Sequence, residues 1–140
     1  NFISLVKVIQ SVLPNLLASE QASIVVFSSV AATMGMPFHT SVAASKGAIE
    51  GFAKALAAEY APKIRVNVIA PSLTDTPLAD KFLNNETKQE KSAERHPLKR
   101  FGKPEDSAQM ATFLLSDKSS WISGQIFHVD GGMSTLLING

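Results

Sequence analysis

Residues 28–46 read SSVAATMGMPFHTSVAASK, and this stretch decides the fold of the chain. It follows residues 23–27, SIVVF, a short apolar run typical of a parallel strand covered on both faces. It leads into residues 43–60, whose alanine-rich composition predicts a helix. The stretch therefore joins a buried strand to a helix, with a Gly- and Pro-containing loop between them.

The same alternation continues on both sides. Residues 1–19 have apolar side chains at i, i+3/4 and i+7, which predicts a helix, and residues 64–69 (IRVNVI) predict a second buried strand. Residues 78–95, called the flap below, are polar and weakly periodic and predict a mobile helical cover. A further helix begins at Pro104 and a third strand spans residues 125–129. We expect that last helix to bury Met110, Phe113, Leu114 and Leu115.

The order helix–strand–helix–strand–helix–strand predicts an α/β fold, with a parallel sheet and right-handed crossovers. No linker or repeat interrupts residues 1–140, so one domain is expected. A chain of this length buries roughly two-thirds of its unfolded surface.

Composition excludes several functional classes. The net charge of +1 gives no reason to expect nucleic acid or an anionic membrane as a partner. The chain has no cysteine, so it has neither disulfides nor thiolate chemistry, and we expect a cytoplasmic protein. No metal site is predicted.

The chain begins at Asn1, inside an apolar periodic pattern and without a basic leader, unlike a signal peptide. Lys7, Gln10 and Pro14 interrupt the roughly 18 apolar residues that a membrane-spanning helix needs. We therefore expect a fragment whose front is absent.

Four short motifs occur in one order along this pattern, and together they resemble the short-chain dehydrogenase/reductase family over essentially the whole chain. The motifs are Ser29, Lys46 on the following helix, Pro71-Ser72 with Thr76, and Val129-Asp130-Gly131-Gly132. The resemblance implies a partial Rossmann-like, doubly wound parallel sheet, the C-terminal half only, with about three strands and flanking helices. It also implies a truncated domain at residues 1–140 that lacks the Gly-rich dinucleotide-phosphate turn.

The resemblance assigns roles to the residues that match. In the family, a Tyr phenol moves a proton to or from the substrate oxygen, and a Lys one helical turn away favours the phenolate. Lys46 matches that Lys, Ser29 the residue that polarises the substrate oxygen, and Asn1 the residue that holds a water in the proton relay. Val42 stands at the Tyr position and offers no proton.

No other residue replaces that proton donor convincingly. Tyr60 lies 14 residues after Lys46, or about 21 Å along a helix. His39, three residues before Val42, is a candidate for a surrogate acid, because histidine side chains serve as general acids in proteins. Loss of a general acid typically costs on the order of 10²–10⁴-fold in rate.

By the same resemblance, the cofactor is NAD or NADP. Lys46 would bond the nicotinamide ribose and Thr76 the carboxamide, while Pro71 and Ser72 form the adjoining loop, with Ser72 where the family usually has Gly. Simpler roles stay open, because Ser29 and Thr76 also suit turns and Lys46 also suits a solvated helix face.

Three functions follow as hypotheses. The first is an NAD(P)-dependent oxidoreductase acting on an alcohol or carbonyl, inactive as this isolated chain. The second is a non-catalytic, self-associating assembly module, and the third is one half of a split enzyme whose other half is a separate chain. In the family, helices matching residues 1–19 and 43–60, and the last helix and strand, form subunit interfaces, so we expect a homo-oligomer.

Overall fold

A computed structural model describes residues 2–138. Three parallel strands alternate with helices in that part of the chain, as the sequence pattern predicts. The elements are α1 (Phe2–Ala18), β1 (Ala22–Phe27), α2 (Thr40–Tyr60), β2 (Ile64–Pro71), α3 (Asp80–Leu83), α4 (Glu86–Glu94), α5 (Pro104–Leu115) and β3 (Ile126–Val129), with 3₁₀ turns at Val30–Ala32, Pro77–Ala79 and Asp117–Ser119.

The sheet has the order β1-β2-β3, and both pairings are parallel. Phe27, the last residue of β1, lies opposite Ile69, and Pro71 at the end of β2 lies opposite Val129. The three strands therefore end along one edge of the sheet. The predicted α/β fold with a parallel sheet is confirmed.

The helices cover both faces of the sheet. Alternate β2 residues Ile64, Val66 and Val68 pack in one apolar core with Ile49 and Ala53 of α2, and α1 lies on the same side. On the other side, Arg65 of β2 donates to the Leu114 carbonyl at the end of α5. The β2 residues that face α1 and α2 are apolar, whereas the polar residues between them, Arg65 and Asn67, donate hydrogen bonds to backbone carbonyls, as buried polar groups must.

One buried polar residue fixes the approach to β3. Asn67, fully buried in β2, donates through Nδ2 to the Ile122 carbonyl at 2.9 Å and accepts from the Gln125 amide at 3.1 Å. Gly124 turns the chain there at φ +73°, a conformation that favours glycine. The last strand is thus positioned by an amide side chain as well as by the sheet.

Two details differ from the sequence prediction. Helix α2 begins at Thr40 rather than at residue 43. The predicted buried side of α5 is wrong in part, because only Leu114 is fully buried, whereas Phe113 is 37% and Leu115 53% exposed. A single helix lying on the sheet buries a narrow stripe, and in α5 the buried stripe contains Ser107 and Leu114, seven residues apart.

The flap is helical as predicted and contains α3 and α4. Within residues 2–138, no helix is both long and apolar enough to cross a membrane.

Candidate functional site

Ser29 lies just beyond the end of β1, at the start of a 3₁₀ turn. Its backbone is extended, and its Oγ accepts a hydrogen bond from the Ala31 amide at 3.2 Å. Because Oγ is the acceptor in that bond, its hydrogen can be donated to another group. The turn therefore presents a hydroxyl donor at the carboxyl edge of the sheet.

Lys46 reaches the same edge from α2. Its Nζ donates to the Phe27 carbonyl oxygen at 2.9 Å, and the side chain is half-buried. Burial disfavours the ammonium and lowers the pKa of Lys46 from its ordinary value. Lys46 therefore contacts the end of β1, and Ser29 follows that strand end two residues after Phe27.

A buried side-chain pair, Ser28 and Glu50, lies beside the turn of α2 that carries Lys46. Ser28 Oγ donates to Glu50 Oε1 at 2.6 Å, and both residues are buried. Ser28 Oγ also lies 3.4 Å from the Lys46 carbonyl oxygen, and the Ser28 amide donates to Ile69. These bonds join the turn of α2 that carries Lys46 to the end of β1.

Val42 lies on α2 four residues before Lys46, with 40% of its surface exposed. A residue at i−4 lies on the same helix face, one turn away. His39 immediately precedes α2, and its Nδ1 lies 2.8 Å from the Pro37 carbonyl, which can only accept. Asn1 lies outside the described residues.

A cavity of about 480 Å³ opens at the ends of β1 and β2, and it is called the larger cavity to distinguish it from a smaller one beside His96. It brings together Pro71, Ser72 and Thr76, the residues predicted from the cofactor loop. Ser29, Lys46 and Val42 are not among its lining residues, but Phe27, which Lys46 contacts, is. The other lining residues are Leu73, Thr74, Leu78, Ala79, Phe82, Pro104, Ser107 and Ala108.

The first turn of α5 forms one wall of that cavity and is held by a charged cap. Asp106 Oδ2 accepts from the Lys103 amide at 2.7 Å, and its two oxygens accept from Arg100 at 2.7 and 2.8 Å. The hydrogen bond from Arg100 and that from the Lys103 amide lower the pKa of Asp106 to about 2.

Ser72 has a buried partner that the sequence did not reveal. Its Oγ lies 2.9 Å from His96 Nε2, while His96 Nδ1 lies 2.7 Å from the Ser92 carbonyl. His96 is only 2% exposed. Ser72 and His96 both line a smaller cavity of about 270 Å³, and Ser72 also lines the larger one.

The last of the four motifs, Val129-Asp130-Gly131-Gly132, begins at the end of β3 and forms a turn after it. Asp130 accepts from the Gly132 and Ser134 amides at 2.9 Å and from the Ser134 hydroxyl. Burial opposes ionisation, but the hydrogen bonds from Ser134 and Gly132 outweigh it and lower the pKa of Asp130. Gly131 and Gly132 have φ of +62° and +85°, so the glycines serve the backbone of this turn.

The lining of the larger cavity fits one end of a dinucleotide better than the whole molecule. Apolar walls with the Ser72, Thr74 and Thr76 hydroxyls suit a flat aromatic amide. The loops directly after β1 and β2, residues 28–39 and 72–76, contain no glycine with positive φ, so these strand ends carry no glycine turn for the phosphates. Among the same residues, no group of three or more His, Asp or Glu side chains is arranged to hold a metal.

Comparison with known proteins gives consistent matches. A family model described as Enoyl-(Acyl carrier protein) reductase matches residues 1–134. A 3-oxoacyl-(acyl-carrier-protein) reductase of Thermotoga maritima is 43% identical over 127 residues, covering 90% of this chain and 51% of that protein. The chain spans about half the length of the curated relatives that it matches.

Solved structures agree with these matches. The ligand-free aldohexose dehydrogenase of Thermoplasma acidophilum superposes with a TM-score of 0.87 at 32% identity, over 94% of this chain and 55% of that one. A gluconate 5-dehydrogenase of Burkholderia cenocepacia, in complex with NADP and tartrate, gives 0.86 at 28% identity, over 93% and 51%.

Proposed function

Because this chain belongs to the short-chain dehydrogenase/reductase family, we propose that it carries the nicotinamide end of an NAD(P) site and lacks the proton donor that the reaction needs. Bound NAD(P) would supply hydride exchange with an alcohol or carbonyl carbon. The observation that carries the proposal is the arrangement on α2, where Lys46 reaches the end of β1 while Val42 stands one turn earlier.

Each residue of the proposed site has a separate role. The Ser29 hydroxyl would donate to the substrate oxygen, and the Lys46 ammonium would hold the ribose and stabilise nearby negative charge. The cavity formed by Pro71, Ser72 and Thr76 would orient the nicotinamide, with Thr76 toward its carboxamide. Asn1, outside the described residues, is proposed to hold a water near Lys46.

Val42 leaves the site without a side chain that can transfer a proton to the substrate oxygen. A valine side chain neither donates nor accepts a proton, so the substrate oxygen has no general acid at that position. Tyr60 is at the far end of α2, fourteen residues beyond Lys46, and cannot reach the site. The isolated chain is therefore proposed to bind the nicotinamide end weakly and to catalyse no turnover.

The substrate class is limited to alcohols and carbonyls. The relatives named above are a 3-oxoacyl-(acyl-carrier-protein) reductase, an aldohexose dehydrogenase and a gluconate 5-dehydrogenase, so they share a reaction type and not one substrate. The choice between NAD and NADP would be made by the phosphate- and adenine-binding half of the domain, supplied by a longer chain or by a separate one.

The binding proposal is tested by titrating the chain with NADH and with NADPH up to millimolar concentration, using calorimetry or nicotinamide fluorescence. Saturable binding that Lys46→Met weakens is the expected result. Absence of binding by both nucleotides would reject the proposed site for this chain.

A second candidate function, a self-associating module in the cytoplasm, is favoured by the surface of α2. Small residues recur at three- and four-residue spacing, and every one is exposed: Ala44, Ala48, Gly51, Ala55 and Ala58. Strand β1 also pairs on one side only within the described chain, which leaves an edge open to another strand. Light scattering at tens of micromolar is expected to give a homo-oligomer, and a monomeric mass would contradict this candidate.

A further inference from the structure

Ser72 follows the last residue of β2, before the flap begins, and His96 is the first residue after the flap. The hydrogen bond between these two side chains closes a span of 24 residues. Leu78, Ala79 and Phe82 of the flap line the larger cavity. The position of the returning chain therefore affects the shape of that cavity.

The donor and acceptor in this bond follow from the second nitrogen of the ring. The Ser92 carbonyl can only accept, so His96 Nδ1 carries the hydrogen in the bond between them. In the neutral imidazole, Nε2 is then the acceptor and the Ser72 hydroxyl is the donor. A glycine at position 72 would leave this buried nitrogen without that partner.

The ring also lies beside the turn that follows β3. A Cβ on Gly131, in the turn after β3, would lie 3.6 Å from both Cβ and Cδ2 of His96. The neighbouring Leu98 amide donates to the Gly131 carbonyl at 3.2 Å. His96 thus contacts the end of β2 through Ser72, the turn after β3, and the last turn of α4 through Ser92.

We propose that His96 is a positioning residue, which fixes the return of the flap to Ser72 and thereby sets the shape of the cavity for the nicotinamide end. The last part of this inference rests on the proposed function, whereas the effect on the flap does not. Neither Ser72 nor His96 takes part in the pairing of the three strands.

Two substitutions break the same bond from opposite sides. Ser72→Ala removes the hydroxyl, and His96→Asn keeps a donor near the Nδ1 position while removing the group at Nε2. Ser72→Thr keeps the hydroxyl, and His96→Gln keeps an acceptor near the Nε2 position. His128→Asn is the matched control, because His128 lines the same smaller cavity but is exposed.

Amide hydrogen exchange across the flap is the main measurement, and the affinity for NADH is the second. Ser72→Ala and His96→Asn should each accelerate flap exchange by about 2- to 10-fold, the range expected for one lost hydrogen bond, and should weaken NADH binding. The double variant should be no worse than either single variant, because both remove one interaction. In flap exchange, Ser72→Thr, His96→Gln and the control should match the wild type.

Unchanged flap exchange in both single variants, or effects that multiply in the double variant, would overturn the proposal. Multiplied effects would mean that Ser72 and His96 act separately, for example through direct contact of Ser72 with the nucleotide. If the wild-type chain binds no NADH, the proposed function fails, and the exchange result still decides whether His96 positions the flap.

Discussion

The Lys46 ammonium donates a 2.9 Å hydrogen bond to the carbonyl oxygen of Phe27, the last residue of β1. This bond holds a cation at the carboxyl edge of the sheet, and Phe27 also lines the larger cavity. In open α/β sheets, ligands bind at this edge. We therefore expect a ligand that extends from the cavity along this edge to reach Lys46.

Lys46 should make NADH binding depend on pH. Burial lowers the pKa of Lys46, so its charge is lost at a lower pH than that of a free lysine. Affinity should be full below that lowered pKa and should fall as the pH rises through it. Lys46→Arg should bind with a flat profile up to pH ~10, because arginine stays charged. Calorimetric titrations between pH 7 and ~10 make the comparison, and parallel profiles for the two proteins would contradict the assignment.

Ser28→Ala should destabilise the chain by about 1–3 kcal/mol, because the buried carboxyl group of Glu50 loses its hydrogen-bond donor. Glu50→Gln keeps an acceptor and should cost less than Ser28→Ala. Ser11→Ala, which changes an exposed serine of α1, should stay within about 0.5 kcal/mol of the wild type. Urea unfolding measures all three variants, and equal effects of Ser28→Ala and Ser11→Ala would reject the role of this buried pair.

Asp106→Asn should lower stability at neutral pH by about 1 kcal/mol, a magnitude reduced because the Arg100 pair is partly exposed. The pKa of Asp106 is about 2 in the folded chain, below the unfolded value of about 3.9. The contribution of Asp106 is thus fully present above pH ~4 and is lost as the pH falls toward ~2. The difference between wild type and variant in urea unfolding should shrink over that interval.

Glu105→Gln is the matched control for Asp106, since it removes a charge from the same first turn of α5. It should have a much smaller effect at neutral pH. A difference between wild type and Asp106→Asn that stays constant down to pH ~2.5 would show that the charge of Asp106 is not responsible.

Gly51→Leu should dissociate the proposed oligomer without unfolding the chain. A Cβ at Gly51 meets nothing within 4 Å, so the isolated chain accommodates a side chain there. A second helix packed closely on the small-residue face would not accommodate it. Thr87→Leu on α4 adds the same side chain on an exposed helix outside the predicted interfaces. Light scattering of both variants should show a smaller mass for Gly51→Leu alone, and equal masses would count against this interface.

The sequence pattern predicts the element order because burial on both faces of a parallel strand leaves a recognisable apolar run. It also places Ser29 at a strand end and Lys46 on the next helix. It misses the pairs Ser28–Glu50 and Ser72–His96, whose members lie 22 and 24 residues apart. Such pairs depend on how strands and helices meet in space, and no local periodicity encodes that.

The misjudged face of α5 has a related cause. Phe113, Leu114 and Leu115 are consecutive apolar residues, and a helix cannot direct three consecutive side chains to one face. Only Leu114 is buried against the sheet, while Phe113 and Leu115 stay partly exposed. Both exposed side chains lie on the last helix, which the resemblance assigns to a subunit interface.

The proposed function depends most on the missing proton donor at position 42, and restoring that donor is its most direct test. The chain and its Val42→Tyr variant are each fused to the phosphate-binding half of the Thermotoga maritima relative. Carbonyl-dependent oxidation of NADH and NADPH is then measured with a 3-oxoacyl thioester, an aldohexose and a keto-gluconate. Val42→Tyr should be faster by on the order of 10²-fold or more on at least one substrate, because a phenol beside Lys46 restores general acid catalysis. Equal and substantial rates for the two fusion proteins would contradict the proposal that the chain is inactive because Val42 replaces the proton donor.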